Sequence, residues 1–346
     1  MPRHALLLKA NANRVFGEST YGLAQAELAA LDRSSLGGVV HAQERATIAG
    51  VDYLVVDTDG PLDGDHLAVL SNLSSLHALF EVDADGRFQP MPCAPRQLLD
   101  DDLITIQRYA GKTNEAFTHL LVNVALAASG DAFRRLLAGE PVRLLDPVCG
   151  RGTSLNRAAL YGMDAFGIEL DARDVEAFDV FFTTFLKNKR MKHKVERSTL
   201  RKGRTAPAHR TTITYGIEKD PRTHRVVDIV HDDTLAAREH AKARSMDLLV
   251  CDLPYGVQHG SRSSTDTLDR GPERLLERAL PGWLDLLKPG GAAGLAWNRP
   301  TLPRPRLVEL VRGAGFEVLA PDDDSFLHRV DRAITRDVLV AVRPAG

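Results

Sequence analysis

Four short apolar stretches, each ending on an acid, constrain this chain more than any other feature. They are "VRLLDP" ending at Asp146, "DAFGIEL" at Glu169, "HRVVDIVHDD" at Asp232 and Asp233, and "MDLLVCDLPYG" at Asp252. Between them lie stretches with helical spacing, among them "SLNRAALYG", "ARDVEAFDVFFTTFLKN" and "TLAAREHAKAR". Strands that are apolar on both faces suit a parallel sheet covered by helices on each side. Repeated strand–helix alternation therefore predicts a doubly wound α/β sheet whose ligands sit at the carboxyl ends of the strands. Ahead of this region, "NEAFTHLLVNVALAAS" gathers Phe117, Leu120, Leu121, Val124 and Leu126 toward one side, the pattern of an amphipathic helix. At the other end, "FEVLAPD" and "RDVLVAVRP" follow each other without a helix between them, which predicts an antiparallel terminal strand.

The first ninety-odd residues follow a different rhythm. "HALLLKA" and "DYLVVDT" read as strands and "YGLAQAELAALDR" as a helix, so residues 1–95 are expected to form a small α+β domain. "DADGRFQPMPCAPRQ", with a glycine and three prolines, interrupts any regular element and marks its end. Residues 96–346 form the second expected domain. It carries a strongly basic insertion over 187–225, where the acids are only Glu196, Glu218 and Asp220. That segment is either a solvated loop or a surface for phosphates, which Lys and Arg bind by displacing counterions. The chain as a whole has a net charge of -2, so the positive charge is local. Cys93, Cys149 and Cys251 are odd in number and lack CxxC spacing, which argues for reduced thiols with neither disulfide nor zinc. The opening "MPRHALLLKANANR" is too briefly apolar for a signal peptide, and no stretch approaches the roughly 18 apolar residues that span a bilayer. A cytoplasmic location is expected.

The turn in "LLDPVCGRGT" lets backbone N–H groups approach a ligand, with Gly150 and Gly152 removing the side chains that would block it. No Lys–Ser/Thr follows, so it is not a phosphate loop of the Walker type, and it lacks the third glycine of a dinucleotide fingerprint. About twenty residues on, Glu169 stands where an acid takes both ribose hydroxyls of an adenosine. Asp232 and Asp233 stand where an acid accepts from the adenine amine. Together these favour S-adenosyl-L-methionine over NAD. "DLPYG" then supplies the chemistry. Asp252 and a neighbouring carbonyl accept both hydrogens of an exocyclic amine, turning its lone pair out of conjugation, and Tyr255 offers a face on which the ring stacks.

"DPVCGRGT" with "CDLPYG", preceded by "GKTNEAFTHLLVNVAL", resembles the THUMP-associated tRNA guanosine N2-methyltransferases over roughly residues 100–346. The resemblance implies a class I methyltransferase fold. It implies that Asp146, Cys149, Gly150, Gly152 and Thr153 lie near the methionine part of the cofactor, Glu169 on the ribose and Asp232 near the adenine. Lys112, Thr113 and Asn114 match the segment that closes over the cofactor. Asp252, Pro254 and Tyr255 would surround the acceptor amine, and Asp at the first position points to guanine. The amino-terminal region resembles the small ferredoxin-like piece of that family and is too short for a complete THUMP domain as well. The basic insertion is then the candidate RNA grip.

The expected function is S-adenosylmethionine-dependent N-methylation of guanosine N2 in tRNA or other RNA, without a metal. Two alternatives remain: a peptide or small-molecule amine as acceptor, and a non-catalytic RNA-binding relative. His259 reads as a loop histidine, Asn298 as a pocket or capping residue, and Trp283 and Trp297 as core or pocket wall.

Overall fold

The computed structural model describes residues 1–10, 14–200, 207–216, 223–254, 271–320 and 322–345. The chain opens with β1 (Arg3–Leu8), α1 (Arg14–Leu31), β2 (Val40–Ile48), β3 (Val51–Thr58), α2 (Gly64–Leu70), β4 (Leu76–Val82) and β5 (Phe88–Met91). Their sheet has the order β2-β3-β1-β4-β5, and all its pairs are antiparallel. The first six elements form the βαββαβ arrangement of a ferredoxin-like unit. β5 corrects the expectation that glycine and proline leave this stretch irregular. Pro90 sits on the outermost strand opposite Phe80, where its missing N–H can face the open edge.

Next come α3 (Asp102–Thr105), α4 (Glu115–Ala128), α5 (Ala132–Leu137), β6 (Arg143–Asp146), α6 (Thr153–Tyr161), β7 (Asp164–Glu169) and α7 (Ala172–Asn188). They are followed by β8 (His193–Leu200), β9 (Ala208–Tyr215), β10 (Arg225–His231), α8 (Ala237–His240), β11 (Met246–Asp252) and α9 (Pro272–Leu286). The chain closes with β12 (Leu287–Asn298), α10 (Arg304–Gly313), β13 (Glu317–Leu319), β14 (His328–Arg329) and β15 (Thr335–Val342). The second sheet runs β13-β15-β12-β11-β6-β7-β10-β9-β8, with β14 on β15. Strands β10, β7, β6, β11 and β12 are parallel, and β15 is antiparallel to both β12 and β13. This is the α/β class I methyltransferase architecture with its antiparallel terminal strand. The strand order reverses between β6 and β11, which opens a crevice at their carboxyl ends.

The apolar runs follow from burial on both faces. Leu144, Val227, Ile229, Leu248 and Val250 belong to the core shared with α4, α6 and α7. Their alternates Leu145, Phe166, Val230, Leu249 and Cys251 pack with Trp283 of α9 and Leu307 of α10. The Trp283 indole N–H donates to Thr234 and that of Trp297 to the Leu302 carbonyl, so both tryptophans are core.

Three expectations need correcting. α4 is not amphipathic: every residue from Phe117 to Ala127 is buried, because α1 lies on one side of it and the large sheet on the other. "TLAAREHAKAR" yields only a short 3-10 turn and the four-residue α8. The basic insertion is no solvated loop in its described part. It is the β8–β9 hairpin, antiparallel to itself and to β10. Several of its charges are matched within the fold. Arg197 makes a forked pair with Asp179 of α7, Arg210 meets Asp228, and Lys189 bridges Asp100 and Asp102. Arg225 is spent on the carbonyls of Gly139 and Gly162. Residues 201–206 and 217–222 lie outside the described residues.

The apolar core runs without a break from Leu28, Leu31 and Leu54 to Leu121, Leu144 and Phe178. Inside it lies a polar chain. Asn123 donates to Glu27 at 2.6 Å and to the Asn72 carbonyl at 2.7 Å, and the Tyr161 hydroxyl donates to Asn123 at 2.6 Å. His119 meets Tyr161, and the Ser74 N–H donates to Glu27 at 3.0 Å. Burial pushes the Glu27 carboxyl up from 4.5 to about 7 despite these donors. Between those values the folded chain holds a proton that the unfolded chain has lost. The stabilisation is therefore complete below 4.5 and is lost as pH rises through about 7. Asp146 is also raised to about 7 and acts with the same sign, so only a difference isolates Glu27. The buried His119 and His328 imidazoles, held below their usual range by burial, act with the opposite sign. Relative to the wild type, Glu27→Gln should therefore gain a few degrees of melting temperature between pH 5 and 8. Parallel melting curves for the two proteins would refute the assignment.

Candidate functional site

Asp146 ends β6 and is buried. It accepts the Val148 N–H at 3.1 Å and the Ser154 hydroxyl, and burial raises its carboxyl to about 7. The turn that follows is shaped by what surrounds it. At Gly152, with φ 75°, a Cβ would overlap the buried ring of Phe178. Gly167 of β7 is equally tight against Cys149 and Leu155. Gly150, with φ 52°, has nothing among the described residues within 4 Å of the position a Cβ would take. The turn is thus packed hard from below and open above. Burial pushes the Cys149 thiol well above its usual range, so this residue packs and is not a ready nucleophile.

Glu169 ends β7 beside this turn. It accepts the Gly150 N–H and the Asp171 N–H, each at 2.8 Å, and burial raises its carboxyl. Thr153 begins α6 and its hydroxyl lies 3.0 Å from that of Tyr109. The Arg151 guanidinium lies 4.8 Å from the centre of the Tyr109 ring and donates to Asp174 at 2.8 Å. Asp232, just past β10, faces the buried His240 at 2.5 Å. Asp233 caps the 3-10 turn by accepting from Leu235.

Asp252 ends β11, on the other side of β6 from Glu169. Its Oδ2 accepts from the Thr113 hydroxyl at 2.6 Å and from Arg336 of β15 at 3.3 Å. Of the segment expected to close over the cofactor, Thr113 therefore faces Asp252. Lys112 is tied to the Ile104 carbonyl and to Glu115, and Asn114 caps α4 through the N–H groups of Ala116 and Phe117. Pro254 is exposed, and Tyr255 and His259 lie outside the described residues. Asn298 accepts the Thr335 N–H at 3.0 Å and holds the loop before β15, the capping alternative.

Sequence reading missed Arg336, Tyr109 and His240. Tyr109 stands four residues before Thr113, and an aromatic so close to a recognised motif was a usable signal. Arg336 gave none, because its partner lies 84 residues away.

A protein-family model described as "RMKL-like, methyltransferase domain" matches residues 136–290, just under half of the chain. No curated protein matches. Among solved structures, TrmN from Thermus thermophilus is 14% identical, covering 99% of this chain and 100% of its own, with a TM-score of 0.38. An rRNA methylase from Streptococcus thermophilus is 10% identical over 59% and 87%, with a TM-score of 0.34. A TehB-like SAM-dependent methyltransferase from Corynebacterium glutamicum is 18% identical over 66% and 100%, with a TM-score of 0.33. At such scores these likenesses carry no weight. The domain match and the strand order agree, and they make the chain an S-adenosylmethionine-dependent methyltransferase. The open space above Gly150, flanked by Asp146 and Glu169, fits that cofactor. No helix among the described residues is long and apolar enough to cross a membrane.

The two glycines of the turn should respond differently. Gly152→Ala should lose about 2–4 kcal/mol of stability from overpacking and backbone strain together. Gly150→Ala should cost only about 1–2 kcal/mol yet weaken S-adenosylmethionine binding at least about tenfold, since its methyl enters the open space. Melting curves and calorimetry separate the two, and equal cofactor affinity of Gly150→Ala and wild type would overturn the placement.

Proposed function

We propose that this chain methylates the exocyclic N2 amine of guanosine in RNA, with tRNA the first candidate. The observation that carries this reading is the position of Asp252. It ends the strand next to β6, whose turn is open for the cofactor, and its carboxylate is held by donors from β15 and from the loop ahead of α4. S-adenosylmethionine, when bound, supplies an electrophilic methyl group. Gly150, Thr153, Asp146, Cys149 and Gly152 would hold its methionine end, Glu169 its ribose and Asp232 its adenine side, with Lys112, Thr113 and Asn114 bounding the pocket.

An ionised carboxylate only accepts hydrogen bonds, whereas an asparagine amide also donates. Guanine presents N1–H and N2–H donors side by side, so an acceptor-only Asp252 suits it. Adenine sets an acceptor nitrogen beside its amine and suits the amide better. Asp252 orients the amine and takes up the proton released on transfer. Pro254 and Tyr255 would complete the wall, with Tyr255 stacking on the base. A base inside a helix must first be flipped out. The rest of the catalysis is alignment of the nitrogen, methyl and sulfur atoms.

RNA as acceptor is supported by the exposed Lys187, Arg190, Lys192 and Lys194, which run from the end of α7 into the hairpin. We keep the division near residue 95, with residues 1–95 accessory to a catalytic unit over 96–346.

Labelled methyl groups from S-adenosylmethionine should enter unmodified tRNA and appear as N2-methylguanosine after digestion. Label in a peptide or metabolite pool instead would shift the acceptor. Asp252→Ala should lower transfer by about a hundredfold or more while calorimetry shows unchanged cofactor binding. Normal transfer by that variant would sink the reading.

A further inference from the structure

Arg336 is the second residue of β15, and its charge is not taken by its own strand neighbour. Asp337 faces the other way and is held by Arg304 at 2.7 Å and Arg299 at 2.8 Å. The Arg336 side chain is buried, and the carboxylate it meets is Asp252. To reach it, the side chain crosses β12. Register explains the reach. Asp252 pairs with Ala296, while Arg336 pairs two positions on with Asn298, so both side chains lie on one face of the sheet and the small Ala296 leaves room between them. The guanidinium lies 4.5 Å from the centre of the Phe117 ring, which fixes its plane. Phe117 is itself placed by α4, whose first turn Asn114 caps, and it packs against His328 at 5.1 Å. Burial holds the His328 imidazole down at about 4, so it adds no second positive charge at neutral pH. Thr113, just ahead of α4, donates to the same Oδ2 atom.

We propose that Arg336 and Thr113 are positioning residues that set the orientation of the Asp252 carboxylate toward the acceptor amine. This rests on the reading of Asp252 as the group that meets the amine. Two donors from separate segments on one oxygen restrict rotation about the Cβ–Cγ bond and so set the direction of the carboxylate. A carboxylate anchored by one donor alone would swing. Hydrogen-bond acceptance by the amine-binding group depends on angle as well as distance. Misplacement by an ångström costs on the order of a hundredfold in rate.

The experiment compares Arg336→Gln, Arg336→Lys, Thr113→Val and wild type by steady-state methyl transfer to tRNA, by calorimetry with S-adenosylmethionine, and by crystal structure. Arg336→Gln should lower kcat by about ten- to a hundredfold, with cofactor affinity and the KM for RNA within about threefold of wild type. Arg336→Lys should recover part of the loss, and Thr113→Val should lose about tenfold on its own. In the crystal structure of Arg336→Gln, the Asp252 carboxylate should be turned relative to the wild type. A folded Arg336→Gln with an unchanged Asp252 orientation overturns the proposal, as does wild-type kcat in both Arg336→Gln and Thr113→Val. Should Arg336→Gln fail to fold, Thr113→Val decides by the same two readouts. If the wild type transfers no methyl group to any RNA, the acceptor assignment has failed. The carboxylate orientation then still decides the positioning roles.

Discussion

The turn after β6 keeps its shape because the ring of Phe178 occupies the space that a side chain at Gly152 would need. That contact ties the carboxyl end of one strand to α7, which starts beyond the next. With Cys149 wedged against Gly167, it forces β6, β7 and the start of α6 into one rigid block. The Gly150 N–H then points at Glu169, and Asp146 is fixed by the Ser154 hydroxyl from the first turn of α6. Everything on the cofactor side hangs on this packing. The carboxyl end of β11 is built differently. Asp252 is placed by its strand, but its orientation comes from polar contacts to Thr113 and Arg336.

Much of this was legible in the sequence, for a physical reason. A strand buried on both faces has no polar positions to blur its boundaries, so β6, β7, β10 and β11 stood out, and so did the acids at their ends. Elements whose stability depends on context were hidden. β5 contains a proline that only an outermost strand tolerates. In the hairpin, a run of lysines and arginines drew attention away from "HRTTITY", whose threonines and isoleucine favour a strand. α8 fell short although its residues favour helix, and the chain turns into β11 instead. The Asp252 contacts were out of reach for another reason: Thr113 lies 139 residues away in sequence, and Arg336 lies 84 away. Only tertiary structure brings such partners together.

The charge of segment 187–225 also reads differently once it is folded. Counted along the chain, it is a block of cations. In space, Arg197, Arg210 and Lys189 face carboxylates, and Arg225 closes the ends of α5 and α6 through their carbonyls. These groups hold the hairpin onto the sheet. Exposed pairs such as Lys194–Glu196 add little stability. Composition alone does not show which cations of such a segment are matched within the fold.

The hairpin extends the sheet at the edge remote from Asp252. Counting from β11 through β6, β7, β10 and β9 to β8 gives five strand spacings, about 24 Å at roughly 4.8 Å each. The fold therefore carries a ruler. On the reading proposed for Asp252, a lone nucleoside there would end far short of β8, while a polynucleotide of several residues would be long enough to span the gap. Whatever the hairpin contributes to binding, it contributes only to acceptors long enough to be measured by it.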